Sequence, residues 1–105
     1  MSKICPLYSG STGNSTYIGT KNGGILIDAG ASMKGICSAL ERAGGSLEEI
    51  KAIAVTHTHS DHIKGLTTIL KRTDIQLIAT EGTLKALQEM DKIPSGTKVA
   101  LIGEN

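Results

Sequence analysis

The spacing of apolar positions changes character after Asp28. Up to that point the chain reads as short strands joined by glycine turns. Ile4 to Tyr8 is a brief apolar run, and Ser15 to Thr20 alternates around Tyr17 and Ile18. Gly24 to Asp28 carries the triplet Ile25, Leu26 and Ile27, which suits a strand covered on both faces. The tetrapeptide TKNG between the second and third runs predicts a hairpin turn, since Asn22-Gly23 accommodates positive φ.

Beyond Asp28 the period becomes helical. Ser32 is placed as an N-cap, and Met33, Ile36, Cys37, Leu40 and Ala43 then share one face until Gly44-Gly45. Ser46 and Glu49 have capping-box spacing, so Leu47 to Ile50 is expected to form one short turn. Ala52 to Thr56 predicts a buried strand. Ile63, Leu66, Ile69 and Leu70 trace a helix that closes near Thr73, and Ile75 to Ala79 is again a strand. Thr80 caps a helix that reaches Met90 through Leu84 and Leu87, and Pro94-Ser95-Gly96 turns the chain into a last strand, Lys98 to Ile102. The order β-β-β-α-β-α-β-α-β predicts an α/β fold, a mixed sheet with helices, in one domain over residues 1–105. Three helices offer little area to cover six strands. An uncovered sheet face or edge is therefore expected, either in a truncated domain or in one with an obligate partner such as a second copy.

Composition narrows the picture only slightly. The apolar share comes from Ile, Leu, Val and Ala, with Tyr8 and Tyr17 as the only Phe, Trp or Tyr residues, and thirteen glycines fit many tight turns. The formal net charge of +1 leaves no electrostatic footprint for a nucleic acid or an anionic membrane, although a nucleic-acid substrate is not excluded by it. Cys5 and Cys37 lie far apart without a CxxC context and are expected to be buried, reduced thiols. With no leader signature and no stretch of membrane-spanning length, the expectation is a soluble cytoplasmic protein with no membrane partner.

The chemistry is concentrated in VTHTHSDHIKG, residues 55–65, which holds all three histidines of the chain, His57, His59 and His62, with Asp61 among them. Neutral imidazoles and a carboxylate are good ligands for a borderline divalent cation, zinc first and manganese second. His57 and His59, two apart at a strand end, can grip one ion. Asp61 and His62 come as the chain turns into a helix and approach from another direction, so a second ion relieves the crowding. Two such ions can share a bridging hydroxide as a hydrolytic nucleophile. Without metal, three imidazoles this close would repel one another whenever two were protonated.

THTHSDHIKG resembles the HxHxDH motif of the metallo-β-lactamase superfamily, and ILIDAG, residues 25–30, is similar to that superfamily's strand-plus-Asp element. SGSTGNSTYI, residues 9–18, and HSDHIKGL resemble the YycJ/WalJ-like branch of metal-dependent nucleases and phosphodiesterases. The resemblance implies that His57 and His59 serve the first of two divalent metal ions and that Asp61 and His62 serve the second. It makes Asp61 the catalytic residue that orients the bridging hydroxide, and Asp28 a supporting carboxylate that holds the motif loop. Asp28 can also be read as an ordinary strand-end cap. Family members complete the site with a further His, a bridging Asp and a last His downstream, and their full αβ/βα sandwich runs to about 200–250 residues. The chain therefore resembles the N-terminal half of that sandwich, with activity of its 105 residues alone in doubt.

Other residues carry weaker signals. Ser9 to Asn14 could cradle a phosphate, but the loop enters a strand and lacks the key lysine, so a turn packed near the site is the better reading. Ser11 and Ser15 have no base left to activate them once the histidines bind metal, and Lys64 fits a solvated helix face. No substrate contact is legible. Two readings stand: a dinuclear metallohydrolase favouring nucleic-acid phosphodiesters, exonuclease-like, with esters, thioesters or lactams open; or a non-catalytic metal-binding half-domain that self-associates.

Overall fold

Leu26, Ile53 and Leu77 sit opposite one another on three adjacent strands, and all three are fully buried. Around that row the chain builds a six-stranded sheet, seen in a computed structural model that describes residues 3–10 and 13–103. The expectations placed on Ser11, Thr12 and the last two residues lie outside the described residues.

Strands β1 (Lys3–Tyr8), β2 (Ser15–Thr20) and β3 (Gly23–Ile27) form an antiparallel meander. Strands β4 (Ile50–Ala54), β5 (Gln76–Thr80) and β6 (Val99–Ile102) extend it in parallel, so spatial order follows chain order. Each parallel step needs a crossover, and the helices supply them. These are α1 (Met33–Arg42), α2 (Ser60–Ile63), α3 (Leu66–Arg72) and α4 (Glu81–Glu89). Parallel pairing also brings the C-terminal ends of β3, β4 and β5 to one edge, where ligands collect in open α/β sheets.

Local signals hold at most termini. Ser32 and Thr80 cap α1 and α4 by accepting from the N–H groups of Gly35 and Thr83. Gly45 returns its N–H to the Leu40 carbonyl and closes α1. Glu49 Oε1 accepts from the Ser46 N–H at 3.0 Å and from the Tyr17 hydroxyl at 2.8 Å. That hydrogen bond to a carboxylate, with burial, holds the Tyr17 proton and pushes its pKa above the ordinary value. In the β2–β3 turn only Gly23 takes a positive φ, 122°; Asn22 does not, because the Thr20 hydroxyl holds the turn by accepting from its N–H and donating to the Gly23 carbonyl.

The single helix expected over Ile63 to Leu70 is two. The apolar period continues through Ile63, Leu66, Ile69 and Leu70, all buried, but the backbone bonds go elsewhere. Gly65 gives its N–H to the Ala29 carbonyl at 2.8 Å, and Ala29 gives its own to the His62 carbonyl at 2.8 Å. The segment after β3 thus takes hydrogen bonds that a continuous helix would have used. Gly65 permits this approach, since a Cβ there would run into the Ala31 carbonyl.

The covered side of the sheet is one-sided. Leu26, Ile53 and Leu77 pack with Ile36, Leu40, Leu66, Ile69 and Leu87 of the helices in one apolar cluster. Ile25, Ile27 and Ile78, which point to the opposite face, are only half-buried, so the Ile25–Ile27 triplet is not enclosed on both sides as its composition suggested. Edge strands carry exposed apolar side chains too: Ile4 on β1, and Leu101 and Ile102 on β6. Met90 is exposed at the end of α4, one position past the helix, leaving Leu87 as its buried anchor. Cys5 and Cys37 are free and half-buried. Among the described residues, no helix is long and apolar enough to cross a membrane.

Gly65→Ala is expected to lower stability by about 1–3 kcal/mol through backbone overpacking. Gly103→Ala, which meets nothing, should leave the denaturation midpoint unchanged. Equal midpoints for the two variants in urea would contradict the docking of the Ala29–Ala31 segment against α2.

Candidate metal centre

Asp28 ends β3 with a left-handed backbone, φ 66°, a conformation that aspartate tolerates better than most side chains. Its N–H still reaches the Ala54 carbonyl at 2.7 Å, so the chain leaves the sheet sharply from a fixed point. The side chain is buried at 5% exposure. Its Oδ1 accepts from the Thr56 N–H at 2.7 Å, and its Oδ2 accepts from the Thr56 hydroxyl at 2.5 Å. Oδ2 also lies 2.8 Å from His62 Nδ1. A buried carboxylate so placed is costly unless hydrogen-bonded, and Thr56 and His62 supply its partners among the described residues.

Hydrogen-bond logic fixes both rings. An ionised carboxylate only accepts, so His62 carries its proton on Nδ1 and leaves Nε2 with a free lone pair. The Thr56 hydroxyl has spent its proton on Asp28, and toward His57 Nδ1, 2.9 Å away, it can only accept. His57 therefore also carries its proton on Nδ1 and presents Nε2. The two rings lie 4.6 Å apart, tilted by 47°. Asp61 enters from the first turn of α2, half-buried, with Oδ2 3.9 Å from His62 Nε2.

The structure thus brings Asp28, His57 and His62 together, each with a ligand-type atom within 4.8 Å of the others. Asp61 stands beside His62. His59, exposed at the N-cap of α2, lies outside that group and lines a cleft of about 280 Å³ with Thr56, His57, Thr58 and Gly82, Thr83 and Ala86 at the start of α4. Asp28 has both oxygens engaged by protein donors, which suits it to holding His62 rather than binding a cation itself. The remaining donors, imidazole Nε2 atoms and the Asp61 carboxylate, fit a borderline divalent cation. Thr56 went unnoticed in the sequence, where a threonine at a strand end is too common to signal anything. Ser15, almost fully buried, donates to the Asp28 carbonyl at 2.8 Å and serves structure, not nucleophilic chemistry.

A layered α/β sheet with a histidine and carboxylate cluster at the ends of its parallel strands defines a class, that of α/β folds with a candidate metal centre at the strand ends. The comparisons name it. The model of the metallo-β-lactamase superfamily matches residues 8–99, and the chain belongs to that superfamily. It is 40% identical over 93 residues to the exodeoxyribonuclease YycJ of Bacillus anthracis, an overlap covering 88% of this chain and 35% of that protein. It is 39% identical over 99 residues to the exodeoxyribonuclease WalJ of Streptococcus pneumoniae, covering 91% of this chain and 37% of that one. Among solved structures, a B3 metallo-β-lactamase with an active-site glutamic acid superposes with a TM-score of 0.74 at 22% identity, covering 98% of this chain and 43% of that chain. The chain spans little more than a third of the length of these curated relatives.

Asp28→Asn keeps the size of the side chain but sets an amide against three donors. Zinc affinity is expected to fall about 10–100-fold. Nitrogen chemical shifts of labelled histidine should show His62 with its proton on Nδ1 in the parent and lose that preference in the variant. A parent His62 protonated on Nε2 would contradict the geometry.

Proposed function

We propose that this chain carries the metal-loading segment of a dinuclear hydrolase acting on nucleic-acid phosphodiester bonds in the manner of an exonuclease, in the cytoplasm. One observation carries the reading: His62 turns Nε2 toward Asp61 with the His57 ring 4.6 Å away, and the Nδ1 atoms of both rings are tied through Asp28 and Thr56. The substrate class rests on the two exodeoxyribonuclease relatives.

His57 and His59 would hold one cation, and Asp61 and His62 the other. Zinc suits these donors best, with manganese second. Such ions supply Lewis-acid activation of water and stabilise charge that builds on the phosphoryl oxygens. The chain's own residues prepare that chemistry. Asp28 and Thr56 keep both rings in one tautomer, so no proton must move before a ligand binds. Asp61, as the catalytic carboxylate, orients the attacking water and takes up its proton. Three histidines and one aspartate cannot fill two coordination spheres, so further donors must come from outside these residues.

The open sheet face supports a second reading, a half-domain that binds cations and self-associates. Ile25, Ile27 and Ile78 form a half-buried apolar row there, and among the described residues no strand pairs with the outer edge of β6. Such surfaces invite association.

The first reading is tested with an end-labelled DNA oligonucleotide and manganese. Chelator-sensitive, stepwise loss of nucleotides is expected, reduced at least about 100-fold in Asp61→Ala. No chelator-sensitive hydrolysis, or equal hydrolysis by Asp61→Ala, would contradict it. Sedimentation equilibrium tests the second: a dimer that dissociates on Ile78→Glu is its expected result, and a monomer at all concentrations would remove it.

A further inference from the structure

We infer that Asn14 is a positioning residue for Asp61, setting the direction of its carboxylate and hence the affinity of the centre for cations. This rests on the metal-centre reading above. Asn14 Nδ2 donates to Asp61 Oδ2 at 3.1 Å, and the same nitrogen reaches the Asp61 carbonyl at 3.3 Å and the Gly10 carbonyl at 2.9 Å. All three neighbours accept, so the amide can only face Asp61 with its nitrogen. That oxygen of Asp61 is the one 3.9 Å from His62 Nε2. Asn14 therefore grips the oxygen that shares a ligand position with His62 and holds it at one rotation.

The grip is itself anchored. The Asn14 carbonyl accepts from the Gly30 N–H at 2.8 Å, and the next residue, Ser15, is tied to the Asp28 carbonyl. Gly30 has no Cβ because that space is filled: a Cβ there would run into the Asp61 carbonyl and the Asn14 backbone. Three segments distant in sequence thus meet without side-chain slack between them. The choice of amide is also informative. A lysine in the same place would orient Asp61 equally well but would neutralise it and repel a cation. An amide supplies an N–H dipole without a charge, leaving the carboxylate free to bind metal.

The test is zinc affinity, measured by competition with a chromophoric chelator on the 105-residue chain and on Asn14→Ala, Asp61→Ala and the double variant. Melting curves check that each remains folded, and Asn14→Ser replaces Asn14→Ala if it does not. Asn14→Ala is expected to weaken zinc binding about tenfold in the parent and to have no further effect once Asp61 is gone, because it acts through that side chain. A cobalt-loaded sample should show a changed visible spectrum for Asn14→Ala but not for Gly103→Ala, a substitution that meets no neighbour. An equal loss in both backgrounds, or no loss in either, overturns the positioning role while the metal centre stands. A parent chain that binds no zinc overturns both.

Discussion

One buried carboxylate organises the functional edge of this molecule. Asp28 accepts from a backbone N–H, a hydroxyl and an imidazole, all drawn from the segment that follows β4. Hydrogen bonds to a charged group are worth about 1.5–3 kcal/mol each, and a buried carboxylate deprived of them carries its full desolvation cost. The constraint works both ways. The histidine segment is held because Asp28 must be satisfied, and Asp28 tolerates its left-handed backbone because that segment over-determines it.

Backbone packing makes the arrangement stiff. The segment after β3 exchanges hydrogen bonds with α2 through Ala29, His62 and Gly65, and Gly30 and Gly65 let main chains approach where any side chain would intervene. Parallel pairing of β3, β4 and β5 delivers these loops to a common edge, while Leu26, Ile53 and Leu77 fix the strands beneath them. The site is thus an outcome of sheet topology plus a few close approaches. Precision of this kind is what a metal centre needs, since ligand direction is set before the ligand arrives.

Much of this was legible in the sequence. The strand and helix order, the Ser32 and Thr80 caps and the crowded histidines follow from periodicity and from residue types that few other roles would concentrate. Asp28 was visible as a candidate support only through the resemblance of ILIDAG to the superfamily's strand-plus-Asp element, since its strand-end position alone suggested an ordinary cap. Other features were hidden for physical reasons. The break at Gly65 does not disturb the apolar period, and it shows only in where the backbone hydrogen bonds go. Thr56 and Asn14 are common residue types whose roles depend on partners distant in sequence. His59 shares the spacing of its neighbours, yet the strand-to-helix turn carries it out to the cleft beside α4. An uncovered face was expected from three helices on six strands, but not that Ile25 and Ile27 would line it, because composition does not distinguish a helix-covered face from an uncovered one.

The central proposal is that His57, His59, Asp61 and His62 are cation ligands, with His57 and His62 held ready by Thr56 and Asp28. Elemental analysis of protein purified without chelator tests it most directly. About two divalent cations per chain are expected, zinc foremost, as for a two-metal hydrolytic centre. A chain that emerges without metal, and takes up none when zinc is supplied, would contradict it.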